Sequence, residues 1–334
     1  MRTMRTALSA SSNPCNRSCA WPCAWPCAWR RRIFAAATVL LACPFAAQAA
    51  PQWPFASEVV SYTAGSGAVP GFSNPLVALG PPERFTGEGL VPGAVTPFQP
   101  AFRPNEVVSL GVGGVLVLAF DRDVVDDPRH PFGVDILVFG NAFFTDGAFG
   151  LGVVAGLASE GGTIAVSADG VDWRTVVGRD ADGLFPTLGY LDVGPFSMVP
   201  GQVESDFTRP VDPAIGMSDL LGRTHEEVVE LYAGSGGGAG IDIGALGLSR
   251  ARFVRITGPS AAGLSPEIDA IAAVQPVGSP ADLDGDGVVD ARDLLILLAG
   301  WGPAGKGSIA DLDADGTVGP SDLTTLLAAW GATR

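Results

Sequence analysis

Two stretches near the C-terminus are near-copies of each other, offset by 29 residues. Residues 282–302 read DLDGDGVVDARDLLILLAGWG, and residues 311–331 read DLDADGTVGPSDLTTLLAAWG. Each copy opens with an acid-rich stretch turned by a glycine and continues into a helical period. Leu294, Leu297, Leu298 and Trp301 recur at i, i+3, i+4 and i+7, and so do Leu323, Leu326, Leu327 and Trp330. The pattern predicts a loop followed by one helix, twice, with no entering helix before either loop. One such unit cannot bury an apolar stripe alone, so the two stripes are expected to pack on each other. So small a core predicts help from a bound ion.

The loop chemistry names the class of ion. Counting from Asp282, carboxylates fall at positions 1, 3, 5, 9 and 12: Asp282, Asp284, Asp286, Asp290 and Asp293. Gly287 stands at position 6, where the chain must turn sharply, and Val288 at position 7 offers its backbone carbonyl. The second loop supplies Asp311, Asp313, Asp315, Thr317 and Asp322, with Gly316 at the turn and Gly319 at position 9, where water completes the set. Convergent hard oxygens at EF-hand spacing suit calcium. Two Ca2+ ions are expected, the second held less tightly because its loop has one carboxylate fewer.

Duplicated loops, loop-then-helix order and aspartate at position 12 together resemble a type I dockerin over residues 282–331. The resemblance implies a cohesin-like protein partner and a secreted host, often one acting on polysaccharide. Dockerins often carry a matched pair at positions 10 and 11 of both loops. Here those positions are Ala291-Arg292 and Pro320-Ser321, so the two copies do not present the same pair.

The N-terminus reads as an export signal with an extended basic region, residues 1–49. Arg30-Arg31-Arg32 precede an apolar run from Ile33 to Ala42, and Ala47-Gln48-Ala49 fits a cleavage site. The run is too short for a permanent membrane span, so no transmembrane helix is expected in the mature chain. Leu40-Leu41-Ala42-Cys43 also resembles a lipobox, which would anchor the chain through Cys43, and Arg31-Arg32-Ile33-Phe34 resembles part of a twin-arginine signal. The reading is a secreted or cell-surface protein. Cys15, Cys19, Cys23, Cys27 and Cys43 all precede the cleavage point, leaving a mature chain without disulfides.

Cleavage also removes six arginines and no acid, taking the formal net charge from −15 to −21. Lys306 is the only lysine in the sequence. Nucleic acid and anionic membrane are poor partners for such a surface.

Residues 50–274 form one block, joined to the repeats by the linker 275–281. Glycine and proline punctuate short apolar runs at Val115–Phe120, Val134–Phe139, Thr163–Ser167, Trp173–Val177, Phe253–Ile256 and Ile268–Val274. They predict strands, with a hairpin turn at Asp169-Gly170 and one helix capped by Thr224-x-x-Glu227. The expected fold is mainly β: a β-sandwich followed by the small helical module. The phrases Val138-Phe139-Gly140-Asn141, Val166 to Trp173, Ala251 to Ile256 and Glu267 to Ile271 resemble discoidin-like, or galactose-binding-like, jelly-roll domains. That resemblance implies a fold and a leaning toward carbohydrate, not an activity.

No catalytic set stands out. His130 and His225 are the only histidines. His225-Glu226-Glu227 lacks the second histidine of a zinc-protease helix, so His225 is expected on an exposed helix start and His130 in a loop. Ser235 lies in a glycine-rich stretch after a helix, the wrong setting for a nucleophile elbow. Asp121, Asp123, Asp126 and Asp127 read as a solvated turn, or secondarily a further calcium site. Asp135, Glu267 and Asp269 read as solvent-facing strand-edge acids, with a calcium site at the sandwich rim as the alternative. Trp173 is expected in the core; Phe143, Phe144, Phe149 and Tyr190 are alternative sugar-stacking rings. The leading expectation is a non-catalytic binding or scaffold component. The alternatives are a carbohydrate-binding protein or polysaccharide hydrolase with a carboxylate pair, and a purely structural surface component.

Overall fold

The structure, a computed structural model, describes residues 53–331 except 262, 277, 284–287, 306, 307 and 314. The export segment 1–49, including Cys43, and the expected ligands Asp284 and Asp286 lie outside the described residues.

The chain is mainly β, built from antiparallel sheets. Nine strands make the two larger ones: β1 (Glu58–Thr63), β2 (Val108–Ser109), β3 (Val115–Val125), β4 (Ile136–Gly140), β5 (Gly161–Ser167), β6 (Arg174–Asp182), β7 (Ala239–Ile241), β8 (Arg250–Thr257) and β9 (Glu267–Ala273). The five-stranded sheet runs β1-β3-β8-β5-β6 and the four-stranded sheet β7-β4-β9-β2. Every run of residues expected as a strand falls wholly or largely within one of these, and Asp169-Gly170 turns β5 into β6.

Register explains why the two sheets pack face to face. Leu116, Ile256 and Ile164 stand side by side across β3, β8 and β5, and Leu118, Val254 and Val166 form the next row. These rows meet Ile136 and Val138 of β4, Ile241 of β7 and Ile268, Ile271 and Ala273 of β9 in one buried core. The four-stranded sheet is covered on its other face too, where Leu137, Phe139, Ala270 and Ala272 pack with Phe207 and Val274. A strand buried on both faces has no polar side to alternate with. That accounts for the unbroken apolar run in β9 after its acids.

Residues 185–235 carry a satellite core of Phe185, Leu188, Val228 and Tyr232 with Phe98 and Phe144. The helix His225–Tyr232 (α1) starts on the expected capping box: the Glu227 amide donates to Thr224 Oγ1 at 3.4 Å and the Thr224 amide to Glu227 Oε2 at 2.9 Å. It ends at Ala233, which takes a left-handed φ of 49°, followed by Gly234.

The C-terminal repeats contain the helices α2 (Ala291–Ala299) and α3 (Pro320–Ala328). Arg129 holds the chain leading to them. Its guanidinium donates to the Pro280 carbonyl at 2.7 Å while pairing with both oxygens of Asp127. A small cleft between Asp127, Arg129 and Pro280 on one side and Ser308, Ile309 and Asp311 on the other marks where the repeats meet the β-rich body. Among the described residues no helix is long and apolar enough to cross a membrane.

Candidate metal centre

The second loop gathers its first three acids. Asp311, Asp313 and Asp315 each bring a carboxylate oxygen to within 4.8 Å of the others, with Asp313 and Asp315 facing solvent or nearly so. Gly316 supplies the turn at position 6 with φ of 89°, a left-handed conformation that costs glycine least. The amides of Asp315 and Gly316 donate to the Asp311 carboxylate at 3.2 and 3.0 Å, and the Thr317 amide donates to Asp315 at 2.8 Å. Three hard oxygen donors held this close suit a divalent cation.

The position-12 acids are fully buried and close their loops identically. Asp322 accepts the Leu312 amide at 2.6 Å and the Gly319 amide at 2.7 Å; Asp293 accepts the Leu283 amide at 2.5 Å and the Asp290 amide at 2.7 Å. Leu283 and Leu312 are equivalent positions of the two copies, as are Asp290 and Gly319. Each acid is therefore also the third residue of its own helix, bonded back to the residue that starts it. Burial raises the Asp322 carboxyl, but the Gly319, Leu312 and Asp313 amides outweigh it and keep the group below the usual aspartate range. Asp290, expected as a ligand, caps α2 by accepting the Arg292 amide at 2.7 Å. Val288 and Thr317 are exposed. Asp282 is buried at the start of the first loop.

The copies also close each other. The Gly331 amide, after α3, donates to the Val289 carbonyl of the first loop at 2.9 Å. Gly302, after α2, pairs with Val318 of the second loop. These two ties are the same contact made twice by an internal two-fold relation. Ala281, Leu283, Val289, Leu297, Ala310, Val318 and Leu326 form the small core between them.

The helical stripe is rotated from its expected position. Leu297 and Leu326 are buried, and Leu294 and Leu323 are partly buried against them. Leu298, Trp301, Leu327 and Trp330 stand about half exposed. Asp293 and Asp322 take up part of the inward face, which turns the third and fourth residues of each stripe outward.

Several of the remaining candidates fall elsewhere than expected. His225 is buried at the start of α1 beside Phe98, and burial lowers its pKa. His130 is buried and paired with Asp135 at 2.7 Å, and the second oxygen of Asp135 accepts the Ile243 amide. The strand-edge acids are thus not solvent-facing: Asp135, Glu267 and Asp269 are all buried. Asp121 and Asp123 lie within β3 and, with Asp127, are paired to Arg122, Arg250 and Arg129 in turn, so these three acids are held by separate arginines and do not form a solvated turn. Trp173 is half-buried at the sheet surface, with the Arg255 guanidinium 4.3 Å above its ring, rather than in the core. Ser235 is fully buried and donates to the Arg209 carbonyl, a structural bond. Phe144 is buried, Phe143 partly exposed and Phe149 fully exposed; Tyr190 bridges to Glu204.

No protein-family model matches the chain, and a search of curated proteins finds no match to it.

Proposed function

We propose that the chain is an exported calcium-binding protein: a non-catalytic binding or scaffold component of the cell surface or extracellular space, attached through a dockerin-like module. In this reading two Ca2+ ions are held by Asp282, Asp284, Asp286, Asp290, Asp293 and the Val288 carbonyl, and by Asp311, Asp313, Asp315, Asp322 and Thr317. The convergence of Asp311, Asp313 and Asp315 carries the proposal. The matched closure of both loops by Asp293 and Asp322 supports extending it to the first copy. An ion would neutralise carboxylates that otherwise repel, and would hold a core too small to hold itself. The partner is a cohesin-like module, and the β-rich body is a galactose-binding-like jelly roll. Asp282→Ala together with Asp311→Ala tests the reading. Calcium should raise helical circular dichroism in the chelator-treated wild-type chain and leave the double variant unchanged.

A second reading, carbohydrate binding by the β-rich body, is favoured by Phe143 and Phe149, exposed rings on the strand and the turn of one β-hairpin. Incubation with a panel of polysaccharides separates the outcomes. Retention without released sugar supports this reading, released sugar makes the protein a hydrolase, and neither leaves the scaffold reading alone.

A further inference from the structure

A second group of acids meets where the two large sheets come together. Asp182 ends β6, Glu160 stands immediately before β5, Glu267 opens β9, and Gly140 ends β4. Pairing brings them together: Asp182 lies opposite Gly161, and Ile268 opposite Gly140. Asp182 and Glu160 line an open cleft of about 370 Å³ with Asn141, Phe143, Ser159 and Leu264. Glu267 adjoins this group, its carboxyl within hydrogen-bond reach of Glu160 and Ser109. Among the described residues lining the cleft there is no lysine, arginine or histidine.

Asp182 makes this more than a patch of acids. It is 1% exposed. One oxygen accepts the Glu160 amide at 2.8 Å, and the other, Oδ1, is buried without a hydrogen bond of normal geometry, although the Asn141 and Ala142 amides lie close enough to lower the carboxyl's pKa. A buried carboxylate oxygen left unpaired costs free energy that native folds rarely leave unrecovered. The backbone at Gly140 comes so close that a Cβ there would stand 2.7 Å from Oδ1, so the chain is shaped around this oxygen.

The geometry points to a divalent-cation site of calcium chemistry, in which Asp182, Glu160 and Glu267 supply carboxylate oxygens at the junction of the two sheets. The donors are hard oxygens without a neighbouring positive charge, the setting calcium requires. Their oxygens stand wider apart than the 4.8 Å group of the second loop. The ion therefore draws in Glu160, the half-buried member, and completes its shell with water or backbone carbonyls. This site lies outside the C-terminal repeats and does not depend on them.

Equilibrium dialysis of the full chain against calcium tests it, using stoichiometry as the readout. The wild type is expected to bind three ions per chain. Asp282→Ala with Asp311→Ala should leave one, and adding Asp182→Asn should remove it. Glu267→Gln on the same background is the second variant and should also abolish or weaken uptake by at least tenfold. None bound in the double loop variant overturns the proposal while leaving the loop reading intact. One ion in the wild type that Asp182→Asn removes supports this site and defeats the loop reading. One ion that survives both Asp182→Asn and Glu267→Gln overturns the proposal, since the ion then lies elsewhere. Metal-free Asp182→Asn should melt no lower than metal-free wild type and should lose the calcium-induced rise in Tm. A lower melting point with calcium uptake unchanged would make Asp182 purely structural and would also overturn it.

Discussion

Asp322 accepts the backbone amide of Leu312 at 2.6 Å across a loop of ten residues, and Asp293 repeats the bond with Leu283 at 2.5 Å. The last acid of each repeat thus ties the loop's start to the helix that follows it. Asp322→Ala would leave buried amides unpaired, at a cost of ~1–3 kcal/mol each. Thermal or urea unfolding of residues 282–331, followed by hydrogen exchange, should show that loss. Asp322→Asn, which retains one acceptor oxygen, should lose less.

The rotated helical stripe gives a sharper contrast. Leu297→Ala and Leu326→Ala empty the small core and should destabilise the repeats by about 2–4 kcal/mol. Leu298→Ala and Leu327→Ala remove half-exposed side chains and should cost less than about 1 kcal/mol. Equal losses from all four would place the stripe where its bare sequence period put it.

Much of this was legible in the sequence, for physical reasons that differ by region. Strands such as Thr163–Ser167 and Phe253–Ile256 were visible because β-branched and aromatic runs between glycine turns have few alternatives. The α1 capping box was visible because it is a local bond between Thr224 and Glu227. The small strand β2 and the edge strand β1, Glu58–Thr63, were not: β1 is mostly exposed, so its composition carries little apolar signal. The cleft around Asp182 was invisible for another reason. Glu160, Asp182 and Glu267 are far apart in sequence, and only the pairing of β5, β6 and β9 with their neighbours unites them. His225 was misplaced because its burial comes from Phe98 and the turn at Gly152, neither local to α1.

Arg129 ties the β-rich body to the segment leading into the repeats through Asp127 and the Pro280 carbonyl. Arg129→Ala would strand Asp127 as a buried, unpaired carboxylate, a loss on the order of 3–5 kcal/mol. Asp127→Asn with Arg129→Met should recover part of it. Differential scanning calorimetry of the three chains checks both statements.

The pH dependence has a defined sign. Burial, with Glu106 and Glu88 nearby, pushes Glu83 up to about 7, and burial raises Asp269, which accepts the Glu83 amide at 3.0 Å, well above its ordinary value. Both folded values exceed the unfolded ones near 4. Their stabilising contribution is therefore complete below about pH 4; it is lost as pH rises through about 7 for Glu83, and Asp269, raised by burial, adds a loss of the same sign. Asp146 works the other way: amides of Ala148 and Val153 hold it down to about 2, so its contribution persists until strong acid. Urea midpoints should fall between about pH 5 and 8, and Glu83→Gln should flatten that slope.

The most direct test of the calcium reading is hydrogen exchange of the full chain, chelated and then calcium-loaded, followed over α2 and α3. The account predicts that calcium slows exchange across Ala291–Ala299 and Pro320–Ala328 together, since each loop is tied to the other's helix through Val289–Gly331 and Val318–Gly302. Exchange unchanged by calcium in both helices would contradict it.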